Sequence, residues 1–126
     1  MKLILLVEDS RFLRLASERA LTRAGYGVVS IDDGEQALLA AQEHVPDLIL
    51  LDMLLPKLGG PEVLRALKND PVTARIPVVV LSGLSQKNEA ILKKEGATAY
   101  FEKSKLHLDT DCQPLIEVVK EALARA

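Results

Sequence analysis

Five residues spread across this 126-residue chain have side chains suited to chemistry at a single point: Glu8, Asp9, Asp52, Ser82 and Lys103. Each follows or closes a short apolar run. Asp52 ends Asp47-Leu-Ile-Leu-Leu-Asp52, with Met53-Leu-Leu-Pro56 and Gly59-Gly60 just beyond. A continuous apolar run of this length predicts a strand buried on both faces, the central type of parallel sheets. In open parallel sheets, ligands bind where strands leave the core at their carboxyl ends. Three carboxylates gathered on one such edge repel, and a proton stays on one or more of them unless a cation neutralises the cluster. Oxygen donors alone suit a hard divalent ion, Mg²⁺ before Ca²⁺. With no His or Cys among them, zinc and copper are disfavoured. A carboxylate beside such an ion, an ammonium and a hydroxyl is equipped to attack a phosphoryl group and form an aspartyl phosphate.

Taken singly, each residue has an ordinary explanation. Asp ends many strands because it suits turns, and Ser82 could be a turn hydroxyl. Glu8 and Asp9 could be acids favoured at a helix N-terminus, and Lys103 one more solvated lysine. Their joint placement at four strand ends is what favours a shared site.

The elements that must position them follow from periodicity. Strands are expected at Leu3–Val7, Tyr26–Ile31, Asp47–Asp52, Ile76–Leu81 and Thr98–Glu102, with Pro77 tolerable near a strand start. Ser10 caps a first helix with Leu13, Ala16, Ala20 and Ala24 on its apolar face, stopped by Gly25. Asp33 and Gln36 match a capping box for a second, with Ala37, Leu38, Ala41 and Val45 as its stripe and Pro46 as its end. Pro61 suits the first turn of a third helix carrying Val63, Leu64 and Leu67 and ending before Pro71. A fourth begins near Ser85, carries Ile91 and Leu92, and closes at Gly96. The last holds Leu115, Ile116, Val119 and Leu123, with Asp111 as a candidate cap and Pro114 in its first turn. Five alternating β-then-α units, with no repeat or linker, predict a single α/β domain over residues 1–126. Its parallel sheet is doubly wound, with helices on both faces joined by right-handed crossovers.

Composition bounds the rest. Nearly half the residues are hydrophobic and the net charge is −2, which fits a globular domain and gives no basic stripe for nucleic acid. One cysteine, Cys112, allows no internal disulfide and no CxxC metal site, in keeping with a reducing compartment. The apolar run at Leu3–Val7 is too short for a signal peptide and ends in Glu8-Asp9. No run approaches the ~20 apolar residues of a membrane span, so a cytoplasmic location is expected. His44 and His107 read as surface residues and Cys112 as a bystander.

The same residues carry a family resemblance. Val7-Glu-Asp-Ser10, Leu50-Leu-Asp-Met-Leu-Leu-Pro56 with Gly59-Gly60, Val80-Leu-Ser-Gly83 and Gly96-Ala-Thr-Ala-Tyr-Phe-Glu-Lys103 resemble the receiver domains of two-component response regulators, over nearly all of residues 2–125. The resemblance implies the flavodoxin-like (βα)5 fold, with strand order 2-1-3-4-5. It implies Asp52 as phosphoacceptor, and Mg²⁺ held by Asp9 and Asp52, by Glu8 through a water, and by the backbone carbonyl of Leu54. Lys103 and Ser82 would contact the phosphoryl group, and Tyr100 would switch inward as Ser82 moves. The implied partners are a histidine kinase or phosphotransfer protein and a downstream protein, with neither nucleic acid nor membrane bound directly. The implied role is a signalling and binding module that catalyses only its own phosphorylation and slow dephosphorylation.

Three departures mark the chain. Ser104 replaces the proline that usually follows the lysine, which removes the basis for a cis peptide there, since a non-proline cis bond costs ~2.5–4 kcal/mol. Residues 104–111 form a longer link than usual, which would alter the output face formed by the fourth helix, fifth strand and last helix. Leu54 and Leu84 flank the site two positions after Asp52 and Ser82; neither can orient an attacking water, so slow phosphate loss is expected. Three other functions compete. A Mg²⁺-dependent phosphohydrolase of the haloacid-dehalogenase type would need a second Asp where Leu54 stands, and room for a substrate cap. A degenerate receiver that binds partners without phosphorylation would not need the complete acidic and lysine set. A flavin protein of this fold would need a hydroxyl- and Gly-rich loop after the first strand. Nothing in the sequence identifies an effector domain, so either a stand-alone receiver or a fragment of a longer regulator is expected.

Overall fold

The computed structural model describes residues 1–53, 55, 57–82, 94, 96–103 and 112–125. Five parallel strands, β1 (Leu3–Val7), β2 (Gly27–Ile31), β3 (Leu48–Asp52), β4 (Val78–Ser82) and β5 (Ala99–Glu102), form one sheet in the order β2-β1-β3-β4-β5. Four helices are described: α1 (Arg11–Arg23), α2 (Gly34–His44), α3 (Gly60–Asn69) and α4 (Gln113–Arg125). The architecture and strand order agree with expectation. The expected helix with Ile91 and Leu92, the Asp111 cap, the Lys103–Ser104 bond, the 104–111 link and His107 lie outside the described residues.

β1, β3 and β4 read as near-continuous aliphatic runs because both of their faces are covered. Successive side chains point to opposite faces, which splits the core in two. Leu5, Val7, Ile49, Leu51, Val78, Val80 and Tyr100 pack with Ala37, Ala40 and Ala41 of α2 and with Val63, Leu64 and Leu67 of α3. Ile4, Leu6, Leu48, Leu50, Val79 and Leu81 pack with Leu21 of α1 and with Leu115, Ile116, Val119 and Ala122 of α4. The register pairs Val7 with Leu51 and Asp52 with Leu81, bringing the carboxyl ends of neighbouring strands to one edge. At the opposite edge the Leu3 amide donates to Asp47 Oδ2 at 2.8 Å, tying the entry of β3 to β1.

The caps follow the sequence closely. Ser10 Oγ accepts from the Leu13 amide and Asp33 Oδ1 from the Gln36 amide, satisfying helix N–H groups that lack an intrahelical partner. Gly59 caps α3 without a side-chain bond, and Pro61 sits in its first turn. Two apolar stripes need correction at their ends. Ala24 is the exposed C-cap of α1, and Leu21 takes the buried position instead. Val45 is the exposed C-cap of α2 in the left-handed region (φ 42°), and Ala40 fills the core in its place. Pro46 accounts for the second change, since a residue before proline is disfavoured in the right-handed helical region.

Candidate functional site

Each site residue is set by a strand and the turn that leaves it. The Glu8 amide donates to the Ile31 carbonyl at 2.9 Å, extending the β1–β2 ladder by one residue so that Glu8 is carried into the site rather than into α1. Its Oε2 accepts from the Ser10 amide at 3.1 Å, and its side chain is buried. Asp9, next in the turn, is exposed. Arg14, one turn into α1, reaches back with Nη1 to donate to the Glu8 carbonyl at 3.0 Å and the Asp9 carbonyl at 3.4 Å. Sequence reading missed Arg14. Its effect is on backbone carbonyls, and no spacing of acidic residues signals that.

Asp52 is the last residue of β3 and is buried at 3% exposure. The Met53 amide donates to the Leu81 carbonyl at 3.1 Å, and the Gly60 amide returns to the Met53 carbonyl at 3.1 Å, which fixes the chain as it leaves β3. A Cβ on Gly60 would lie 2.6 Å from Met53 Cα and 2.7 Å from the Asp52 carbonyl oxygen, so this close approach requires glycine.

Lys103 follows β5 directly and closes the site. Its Nζ lies 2.9 Å from Asp52 Oδ2 and 2.6 Å from Glu8 Oε1. Ser82 is the buried last residue of β4, in register with Glu102. Tyr100 is already buried among the side chains facing α2 and α3. Thus Glu8, Asp9, Asp52 and Lys103 come together, with Ser82 at the end of the intervening strand. Leu54 and Leu84 lie outside the described residues. His44 ends α2 in solvent, and Cys112 is buried, with Sγ 3.9 Å from the Ala16 carbonyl.

The electrostatics follow from burial. Burial pushes the Asp52 carboxyl up from 3.8 to about 7; Glu8 pushes the same way through a hydrogen bond and repulsion, and Lys103 opposes both. For Lys103, burial works against the ammonium, but the Glu8 and Asp52 carboxylates outweigh it and raise its pKa above 10.5. Glu8, Asp9 and Asp52 each offer a carboxylate oxygen within 4.8 Å of the others. Three carboxylates and one ammonium leave two negative charges, which a single divalent cation would cancel. Oxygen-only donors at this spacing fit a hard ion such as Mg²⁺.

The family model for the response regulator receiver domain matches residues 4–108. The gliding motility regulatory protein of Myxococcus xanthus is 40% identical over 89% of this chain, which spans only 14% of that protein. The polar-differentiation response regulator DivK of Brucella anthropi is 34% identical over 81% of this chain and 84% of its own length. Among solved structures, the phosphorylated cyanobacterial phytochrome response regulator RcpA superposes with a TM-score of 0.84 at 34% identity, covering 99% of this chain and 96% of that one. The receiver domain of the sensor histidine kinase PA1611 of Pseudomonas aeruginosa, with magnesium in its active-site cleft, also gives a TM-score of 0.84, at 26% identity over 98% of both chains. The chain therefore belongs to the response regulator receiver domains of two-component signalling.

Proposed function

We propose that residues 1–126 act as one receiver in which Asp52 accepts a phosphoryl group from the phosphohistidine of a kinase or phosphotransfer protein. The observation that carries this reading is the convergence on Asp52 of Lys103 at 2.9 Å and of the Glu8 and Asp9 carboxylates. Asp9 and Asp52, with Glu8 through a water and the Leu54 carbonyl, would hold Mg²⁺. When bound, that ion supplies charge neutralisation for the transferring phosphoryl oxygens and favours ionised Asp52.

The chain's own residues do the rest. An ionised Asp52 oxygen attacks phosphorus as the phosphorus–nitrogen bond of the donor breaks, and the donor imidazole leaves with the bonding electrons. Lys103, held between Glu8 and Asp52 beforehand, pairs with a phosphoryl oxygen of the product, which releases Glu8. Ser82 donates its hydroxyl to another. The switch in partner binding is a shift between two packings of Ser82 and Tyr100, favoured by phosphoryl contacts that exist in only one of them. Leu54 and Leu84, two positions after Asp52 and Ser82 in the sequence, carry no group able to orient an attacking water, so the phosphoryl group is long-lived. Among the described residues no helix is long and apolar enough to cross a membrane, and we place the domain in the cytoplasm.

The test is to incubate the protein with Mg²⁺ and a small-molecule phosphodonor and to measure intact mass. One added phosphoryl group, lost when the metal is chelated beforehand, is expected; an unchanged mass refutes the reading.

A further inference from the structure

Lys57 and Leu58, in the connection from Asp52 to α3, are held from outside by the start of α2. At the start of α2, Gly34 packs so tightly under this segment that a Cβ there would overlap the Leu58 carbonyl oxygen, with the Leu58 carbonyl carbon at 2.7 Å and Leu58 Cβ at 2.8 Å. Backbone is what Gly34 meets, so no side-chain rotation could make room. The neighbouring Asp33 uses Oδ1 to cap α2, while its Oδ2 lies 3.8 Å from Lys57 Nζ. Lys57 itself holds φ at 67°, a region disfavoured for a residue with a Cβ. Such a conformation persists where the surroundings impose it. At the inner end of the same segment, Gly60 bears directly on Met53 and the Asp52 carbonyl.

We propose that Gly34, assisted by Asp33, is a positioning residue for the cation site. Its contact with Leu58 sets the entry to α3, which Gly60 ties to the Met53 and Asp52 carbonyls, and so fixes the aim of the Asp52 carboxylate. The proposal rests on the metal-binding reading above, and it assigns to the start of α2 a share in cation affinity beyond that of the acidic residues. Residues that orient metal ligands without touching the metal typically affect affinity by ~10–100-fold.

The experiment is calorimetric titration of the metal-free protein with Mg²⁺. Gly34→Ala is expected to weaken binding by about tenfold, the low end for an orienting residue. The comparison is Gly25→Ala, at the opposite edge of the sheet. Gly25 also has a positive φ, 100°, but its Cβ would meet nothing within 4 Å. That variant carries backbone strain with no link to the segment, and its Mg²⁺ affinity should equal that of wild type. Equal affinity in Gly34→Ala and wild type, or equal weakening in both variants, overturns the proposal. Should Gly34→Ala not fold, Asp33→Ser decides by the same comparison: it keeps a capping hydroxyl, loses the partner of Lys57, and should weaken binding by a smaller factor. Absence of binding in wild type refutes the metal reading itself, and the positioning role falls with it.

Discussion

The Lys103 ammonium and Asp52 Oδ2 lie 2.9 Å apart across 51 positions of sequence, and Glu8 Oε1 shares the same ammonium at 2.6 Å. One ammonium therefore holds two buried carboxylates. Lys103→Met should leave them facing each other, raising the Asp52 pKa further above about 7. An opposite charge at this range shifts a carboxyl by ~1–3 units, so carboxyl-carbon NMR of the metal-free variant should show an upward shift of at least about one unit. An unshifted Asp52 would contradict the pairing.

The raised Asp52 pKa also fixes a pH dependence of stability. An acid whose pKa is 3.8 unfolded and about 7 folded costs nothing below both values. As pH rises between them, the unfolded chain ionises while the native state holds its proton, so stability falls until the native group also titrates. Lys103, raised above 10.5, contributes stability that is fully present below 10.5, so it is constant over the same window. Asp52→Asn should therefore gain on wild type by about 1–2 kcal/mol between pH 5.5 and 8 without metal. Urea unfolding at the two pH values measures this; a constant difference would contradict it.

Gly60 packs against the backbone on which the site is built. Gly60→Ala must displace Met53 or the Asp52 carbonyl, since its Cβ would come within 2.6–2.7 Å of both. Overpacking of this kind costs about 1–3 kcal/mol. The loss should appear as a lower denaturant midpoint at an unchanged slope; a midpoint equal to that of wild type would contradict the close approach.

Lys68 donates to the Ala74 and Ile76 carbonyls at 3.0 and 2.8 Å while its stem lies over Gly96, whose φ is 111°. A Cβ at Gly96 would stand 2.7 Å from Lys68 Cγ. Gly96→Ala should cost at least about 1 kcal/mol from backbone strain alone. The added overlap should vanish in Lys68→Ala, which makes the double variant less destabilised than the sum of the two. Strict additivity in a double-mutant cycle would show that the two residues do not press on each other.

Much of this site was legible in the sequence because strands buried on both faces are read from aliphatic runs, and the residues ending them must share an edge of a parallel sheet. Glu8, Asp9, Asp52 and Lys103 meet for that reason. Helix ends were less legible: Val45 and Ala24 continue their apolar stripes in sequence, but one is turned out at a left-handed cap and the other lies past the last helical turn. Ser17 and Thr73 are buried despite being polar; Thr73 Oγ1 is satisfied by the Leu67 carbonyl at 2.7 Å, a contact no periodicity encodes. Arg14 and Gly34 act on backbone carbonyls, so neither residue type announces its role.

Asp52 is the residue proposed to take the phosphoryl group. Borohydride reduction of the phosphorylated protein converts an aspartyl phosphate to homoserine, and peptide mass mapping then locates it. Homoserine at position 52, with no phosphoryl uptake by Asp52→Asn, is the predicted result; homoserine at another position, or undiminished uptake in the variant, would contradict the account.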